Sequence, residues 1–362
     1  MTRIVPIALL LCAAACEKVL TVGTPPDLAF AKEQAWRTAD APMVDYYAVS
    51  GSGANDVIIV GSGGTILRWN GTMLATEMSG TTKDLRSVIA VTPMLAYAVG
   101  ESGTILRWDG TSWKSEMLPE PPADMGPPPD LSTPIGDGGI VDAAVGDAGM
   151  QGPPFLTAVW ADATRAFAVG QAGAVFSRTA SGAWLALPAY EADGVNPATE
   201  DLYSVLSAAN KIIATGTLGS VLTYDGTASF VRAEVGGTNT IAGATSGPDG
   251  TFLVGLGGEL LSYPSGKAVT STLPNSFVRA VADLPNGDLF VVGWDDLIAR
   301  VRNGNVLVYP APETVAHWYY GVWGDATGDL WIVGTSGTIL RGPPALDPVV
   351  GDGGIQADGG SQ

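Results

Sequence analysis

The chain has 362 residues, with 18 Lys and Arg against 36 Asp and Glu, a formal net charge of −18 and a single His. So acidic a balance excludes a general nucleic-acid binder, which needs a basic face to neutralise phosphates. Only 15% of residues are charged while 48 Gly and 25 Pro punctuate the chain, a composition of short strands and frequent turns rather than long helices.

The amino terminus reads as a targeting segment. Arg3 supplies a positive charge, Ile4 to Ala15 is apolar, and Ala13-Ala14-Ala15 precedes Cys16. The run is too short and wrongly flanked for a transmembrane helix. The small residues ahead of Cys16 resemble the lipobox of bacterial lipoproteins, with Ala13 standing where that family usually has Leu. The resemblance implies a signal peptide over 1–15, a diacylglyceryl thioether on Cys16 and a tether over 16–32. Cys12 and Cys16 are the only cysteines, so the mature chain would keep one thiol, at the anchor, and form no internal disulfide. Glu17 rather than Asp follows the anchor, which in that family points to the outer membrane.

Beyond the tether one pattern returns seven times. Ile58-Ile59-Val60-Gly61-Ser62-Gly63-Gly64-Thr65-Ile66-Leu67-Arg68-Trp69-Asn70-Gly71 matches Tyr97-Ala98-Val99-Gly100-Glu101-Ser102-Gly103-Thr104-Ile105-Leu106-Arg107-Trp108-Asp109-Gly110. The same frame ends at Gly170, Gly216, Gly255, Gly293 and Gly334. The spacing is near forty residues except across a Pro/Gly/Asp-rich insertion at 119–154, and such a period suits one four-stranded propeller blade. In the second copy Leu85 to Val91 alternates as a strand A, Ala96 to Val99 is a doubly buried strand B, Thr104 to Trp108 is strand C and Trp113 to Met117 is strand D. The paired glycines are expected to serve the tight B-to-C turn, which needs positive φ. Six copies keep the second of them, and the sixth copy has Asp296 instead.

The last copy breaks at Pro343-Pro344 before a fourth strand, and Glu33-Gln34-Ala35-Trp36-Arg37-Thr38 resembles a strand D. The expectation is an all-β, seven-bladed β-propeller of four-stranded blades over 33–342, closed by an N-terminal strand that completes the last blade. A Gly/Asp-rich tail follows at 343–362. Gly136-Asp137-Gly138-Gly139-Ile140 in the insertion recurs as Gly351-Asp352-Gly353-Gly354-Ile355 in the tail. Neither tract has the spacing of an EF-hand loop or a calcium-binding nonapeptide repeat, so both read as solvated linkers.

The core Val-Gly-x-x-Gly-x-Ile followed by Asp-Gly-x-x-Trp, best kept from Gly100 to Trp113, resembles bacterial propellers with short Asp-box-like repeats. That group includes BNR-repeat proteins and photosystem II assembly-factor-like proteins. The resemblance covers about residues 33 to 342 and implies a fold rather than a reaction, because sialidases, assembly factors and binding modules share it. Asn70, Asp109 and Asp225 are expected to satisfy turn amides, Trp69, Trp108, Trp160, Trp323 and Trp331 to pack in the core, and Arg68, Arg107, Arg300 and Arg341 to form ion pairs between blades.

No cofactor or metal is expected. His317 has neither a second His nor a free mature Cys to share an ion with. The D-to-A loops and B-to-C turns open on one face, and the irregular segments gather there: the 119–154 insertion, Pro188 to Asp201, Pro310 to His317 and the turn Trp294-Asp295-Asp296. Long loops on a rigid scaffold are where binding resides. Trp294, Asp295, Asp296, Tyr190 and Glu191 are therefore the candidate contacts. The expected function is a non-catalytic, lipid-anchored binding or scaffold protein of the cell envelope. It would be monomeric, bound to the membrane through Cys16, and partnered by an envelope protein or carbohydrate rather than nucleic acid. The alternative is a glycosidase or lyase using loop carboxylates.

Overall fold

Residues 36–39, 41–119, 153–233, 235, 239–270, 273, 277–309 and 317–342 are described by a computed structural model. The expected signal peptide, Cys16, the tether, most of the 119–154 insertion and the 343–362 tail lie outside the described residues.

Consecutive short segments of each repeat pair antiparallel, and seven separate sheets result. In blade one, strands A to D are Tyr46–Gly53, Asp56–Gly61, Ile66–Trp69 and Leu74–Glu77. The remaining A strands are Leu85–Thr92, Leu156–Ala161, Leu202–Ala208, Ile241–Gly247, Val278–Asp283 and Tyr319–Gly324. Each A strand touches those of the blades on either side, the seventh touching the first. The ring is therefore closed with A innermost, an all-β propeller of seven four-stranded blades. Blade seven takes Tyr319–Gly324, Leu330–Gly334 and Ile339–Gly342 from its own repeat, and the two-residue strand Arg37–Thr38 runs antiparallel beside the last of these. Blade four carries one extra strand, Ala189–Tyr190, laid parallel on its outer strand Phe230–Arg232.

Strand B explains why the blades stack. Val57, Ile58, Ile59 and Val60 are all fully buried, as in a strand covered on both faces. Ile58 and Val60 pack with Val88 and Ala98 of blade two, whereas Val57 and Ile59 pack with Trp331 and Val333 of blade seven. Each buried aliphatic contributes roughly 1.5–3 kcal/mol, and on each side that gain exists only with the neighbouring blade in place. The repeat tryptophans join these seams as expected: Trp331 is buried, and Trp69, Trp108, Trp160 and Trp323 pack partly buried against the apolar clusters.

The two repeat glycines turn out to do different work. Gly64, Gly103, Gly173, Gly219, Gly258 and Gly337 adopt φ between +65° and +81° in the B-to-C turn, as expected. The first glycine does not serve the turn: Gly61, Gly100, Gly170 and Gly216 are extended, with φ from −161° to −175°. Its reason is close approach, because a Cβ on Gly100 would lie 1.9 Å from the carbonyl oxygen of Asp84 at the head of strand A.

Three of the four repeat arginines of strand C, Arg68, Arg300 and Arg341, also depart from expectation, pairing within blades rather than between them; Arg178 at the end of strand C in blade three does cross a seam, to Glu116 at 2.7 Å. Arg68 Nε donates to Asp56 Oδ1 at 2.7 Å, Arg341 Nε donates to Asp329 Oδ2 at 2.8 Å, and Arg300 lies 4.0 Å from Asp288. Strand C is hydrogen-bonded to strand B of its own blade, so a side chain near its end meets the acid at the start of B. What crosses the seam from Arg68 and Arg341 is the flat face of the guanidinium: Arg68 lies 4.7 Å from the Trp108 ring centroid and Arg341 4.4 Å from that of Trp69. Asn70 and Asp109 accept from backbone N–H groups two and three residues on, as turn residues should.

Candidate functional site

In all seven blades the A–B ladder slips by one residue at the second position of strand A, for example between Leu85 and Ser87. The residues left out of the ladder are Tyr47, Arg86, Thr157, Tyr203, Ala242, Arg279 and Tyr320. A bulge re-aims the side chain that it carries. Because A is the innermost strand, this column surrounds the mouth of the central channel, on the face that holds the D-to-A loops and the B-to-C turns.

Contacts between blades confirm the convergence. The Tyr47 and Tyr320 rings lie 5.5 Å apart, and the Arg86 guanidinium sits 4.0 Å from the Tyr47 centroid and 5.2 Å from that of Phe155. Arg86 Nη2 donates to Asp84 Oδ2 at 3.0 Å and to Glu101 Oε1 at 3.1 Å. Arg279 Nη1 donates to the carbonyl oxygen of Ala242 at 2.7 Å. Burial draws the Arg279 pKa below the ordinary guanidinium value, with Tyr203, Tyr320 and Arg86 as its electrostatic neighbours. Burial likewise raises the phenols of Tyr47 and Tyr320. Arg86 on blade two, Tyr203 on blade four and Arg279 on blade six meet only across the shared centre.

The residue just ahead of each strand A forms an outer rim with two characters. In blades one, two and four it is Asp45, Asp84 and Asp201. Each accepts a backbone N–H from the B-to-C turn of the preceding blade: from Ser336 at 2.9 Å, Gly63 at 2.8 Å and Ala172 at 2.9 Å. In blades six and seven it is Phe277 and Trp318, and Trp294 lies between them. The Phe277 and Trp294 ring centroids are 4.4 Å apart at 18°, and those of Trp294 and Trp318 are 5.0 Å apart at 20°. The three rings thus stack as a shelf beside Arg279 and Tyr320, Trp294 sandwiched between the other two and Phe277 37% exposed.

The structure brings part of the sequence-predicted site together. Trp294 is the middle ring of the shelf, and Asp295 is exposed beside it with φ of +52°. Asp296 is committed to structure: its Oδ1 accepts from the His317 backbone N–H at 3.0 Å and from the Tyr319 hydroxyl at 3.1 Å, and lies 3.2 Å from His317 Nδ1. His317 itself is buried. Tyr190 and Glu191 lie elsewhere, on the outer edge of blade four, where Glu191 pairs with Arg232 at 3.2 Å. The mouth residues escaped sequence reasoning, although one signal marks them: each directly follows the buried residue that opens strand A.

No family profile matches the chain, and no curated protein matches it in sequence. Solved structures do. YCF48 bound to D1 peptide is 15% identical with a TM-score of 0.59, covering 86% of this chain and 96% of that one. YCF48 from Cyanidioschyzon merolae is 15% identical with a TM-score of 0.60 over 86% and 99%. A catalytically inactive virginiamycin B lyase from Staphylococcus aureus with quinupristin is 12% identical with a TM-score of 0.66 over 84% and 97%. At such identities the likeness is one of fold, and these neighbours span both a peptide-binding factor and a lyase.

Proposed function

We propose that this chain is a non-catalytic binding protein of the bacterial cell envelope, anchored to the outer membrane through lipid on Cys16, that captures a segment of another protein on its D-to-A face. One observation carries the binding reading: the shelf of Phe277, Trp294 and Trp318 adjoins a mouth lined by Tyr47, Arg86, Arg279 and Tyr320 on a single face of a rigid ring. Partly exposed aromatic groups with a few placed donors are what a binding site for a polypeptide needs. That a propeller of this fold is found with a bound peptide supports the choice of partner. The anchor rests on Ala13-Ala14-Ala15-Cys16.

A lyase or glycosidase is the second reading, favoured by the likeness to the virginiamycin B lyase. It would draw on His317 or loop carboxylates. The His317 side chain is only 10% exposed and has Nδ1 turned toward Asp296, a geometry that suits bracing better than proton transfer to a ligand.

The test is affinity capture from the native envelope with the detergent-solubilised full chain as bait. A protein should co-purify, and a Trp294→Ala/Tyr320→Ala double variant should lose it while melting within a few degrees of the parent. A partner held equally by both would move the site off this face.

A further inference from the structure

We propose that Arg279 is the docking point for a carboxylate of the bound polypeptide, with the chain next to that carboxylate lying over the Phe277–Trp294–Trp318 shelf. This deepens the binding reading of the face and depends on it.

The two arginines of the mouth are in different electrical states. Arg86 is neutralised, with Asp84 at 3.0 Å and Glu101 at 3.1 Å. Arg279 makes one hydrogen bond, to the Ala242 carbonyl oxygen, and no carboxylate among the described residues lies within ion-pair distance of it. Its charged neighbour across the channel is Arg86, of like sign, and its other close neighbours are the phenols of Tyr203 and Tyr320. A partly buried guanidinium without a counter-charge costs stability. No carboxylate among the described residues recovers that cost, whereas an incoming anion would.

The surroundings narrow the anion. A guanidinium presents a planar fork that matches a carboxylate with two parallel hydrogen bonds, and here one Nη1 hydrogen is already used by Ala242. A doubly charged phosphate would meet the rim acids Asp45, Asp84 and Asp201 and a chain of net charge −18; a single negative charge is opposed less. The shelf names the rest of the ligand. Phe277 is two residues before Arg279, and Trp318 is two residues before Tyr320, so apolar surface begins where the cation ends. That arrangement fits a polypeptide whose apolar side chains flank a carboxylate, borne by its C terminus or by an acidic side chain.

Three probes distinguish the sources: acetyl-Leu-Ala-Leu with a free carboxylate, the same peptide amidated, and amidated acetyl-Leu-Glu-Leu, each titrated calorimetrically into the full chain in detergent. The expected result is that at least one carboxylate-bearing peptide binds about tenfold or more tighter than the neutral amide, with the free acid or the glutamate peptide identifying the source. Arg279→Gln should remove that preference, Arg279→Lys should restore part of it, and Arg279→Gln should melt no lower than the parent because it relieves an uncompensated charge. Equal binding of acid and amide, binding unchanged in Arg279→Gln, or no binding by any peptide would overturn the proposal. So would a clear fall in melting temperature for both Arg279→Gln and Arg279→Met, which would make the arginine structural. Peptides that bind irrespective of charge yet are lost with Trp294→Ala would sink this inference alone; envelope capture unaffected by the Trp294→Ala/Tyr320→Ala variant would sink the underlying reading.

Discussion

Ser336, in the B-to-C turn of the last blade, donates its backbone N–H to Asp45 Oδ1 at the head of the first blade, at 2.9 Å. Asp84 and Asp201 do the same for the turns at Gly63 and Ala172. The contact at the seam ties the last repeat to the head of the first blade, beside the strand Arg37–Thr38 that borders blade seven. Asp45→Ala leaves the solvent-exposed turn amide without its acceptor and is expected to cost about 0.5–1.5 kcal/mol, read as a lower melting temperature. Asp45→Asn, which keeps an acceptor oxygen, should cost clearly less, and equal losses would mean that the hydrogen bond is not the cause.

The same seam gives a role to the amino terminus. Thr38 stands opposite Leu340 in the strand pair that borders blade seven, and we propose that this strand latches the ring by covering an open edge. Removing residues 17–40 should therefore lower the melting temperature far more than removing 121–152. The reverse ranking would show that the ring closes without the latch.

The ring is legible in the sequence because Ile-Leu-Arg-Trp recurs at Ile66 and Ile105 with the same glycines before it, and strands buried on both faces read as unbroken apolar runs. The mouth is hidden for the opposite reason. Tyr47, Arg86, Thr157, Tyr203, Ala242, Arg279 and Tyr320 share a position but not one residue type, alternating among Tyr, Arg, Thr and Ala, so repeat comparison discards them as variation. Trp294 is visible because its turn breaks the pattern. Its stacking partners Phe277 and Trp318 are not, since they lie on the approaches to two different blades and only ring closure brings them together. The first repeat glycine reads in the sequence as a turn residue because its close approach, at Gly100 to the Asp84 carbonyl oxygen, is a tertiary fact with no local signature.

On the A-to-B side of blade six, Asp283 has both carboxylate oxygens shielded from water, and its pKa is raised from 3.8 by burial and then by the charge of Asp249. A raised carboxyl pKa means that the fold favours the protonated form. The stabilising contribution is complete below 3.8 and is lost as pH rises through the folded-state value. Asp283→Asn should then melt higher than the parent at neutral pH, and the difference should shrink as the pH falls from the raised folded-state value toward 3.8, with no further change below it. A difference independent of pH would rule out titration of this carboxyl as the source.

The anchor makes a separate prediction at the chain's first cysteines. If Cys16 carries the lipid, Cys16→Ser should abolish labelling by a clickable fatty acid and free the protein from membranes or leave it unprocessed, while Cys12→Ser should be labelled as usual. Equal labelling of the Cys16→Ser variant would contradict the lipobox reading.

Asp296 and Trp294 are two residues apart, yet the structure assigns them different work. Asp296 has φ of +59°, a region costly for any residue with a Cβ, and its Oδ1 gathers the His317 amide, the His317 ring and the Tyr319 hydroxyl. Asp296→Asn keeps an acceptor oxygen and a side chain that tolerates this backbone, so it should be the mildest change. Asp296→Gly relieves the backbone, worth about 1 kcal/mol, but abandons three donors near a buried seam. Asp296→Ala keeps the strain and loses the acceptor together, and is expected to be the most destabilising, by about 2–4 kcal/mol. The expected order of melting temperatures is Asn above Gly above Ala, with partner capture surviving in Asp296→Asn and failing in Trp294→Ala. Loss of capture in Asp296→Asn at an unchanged melting temperature would instead make this carboxylate a ligand contact.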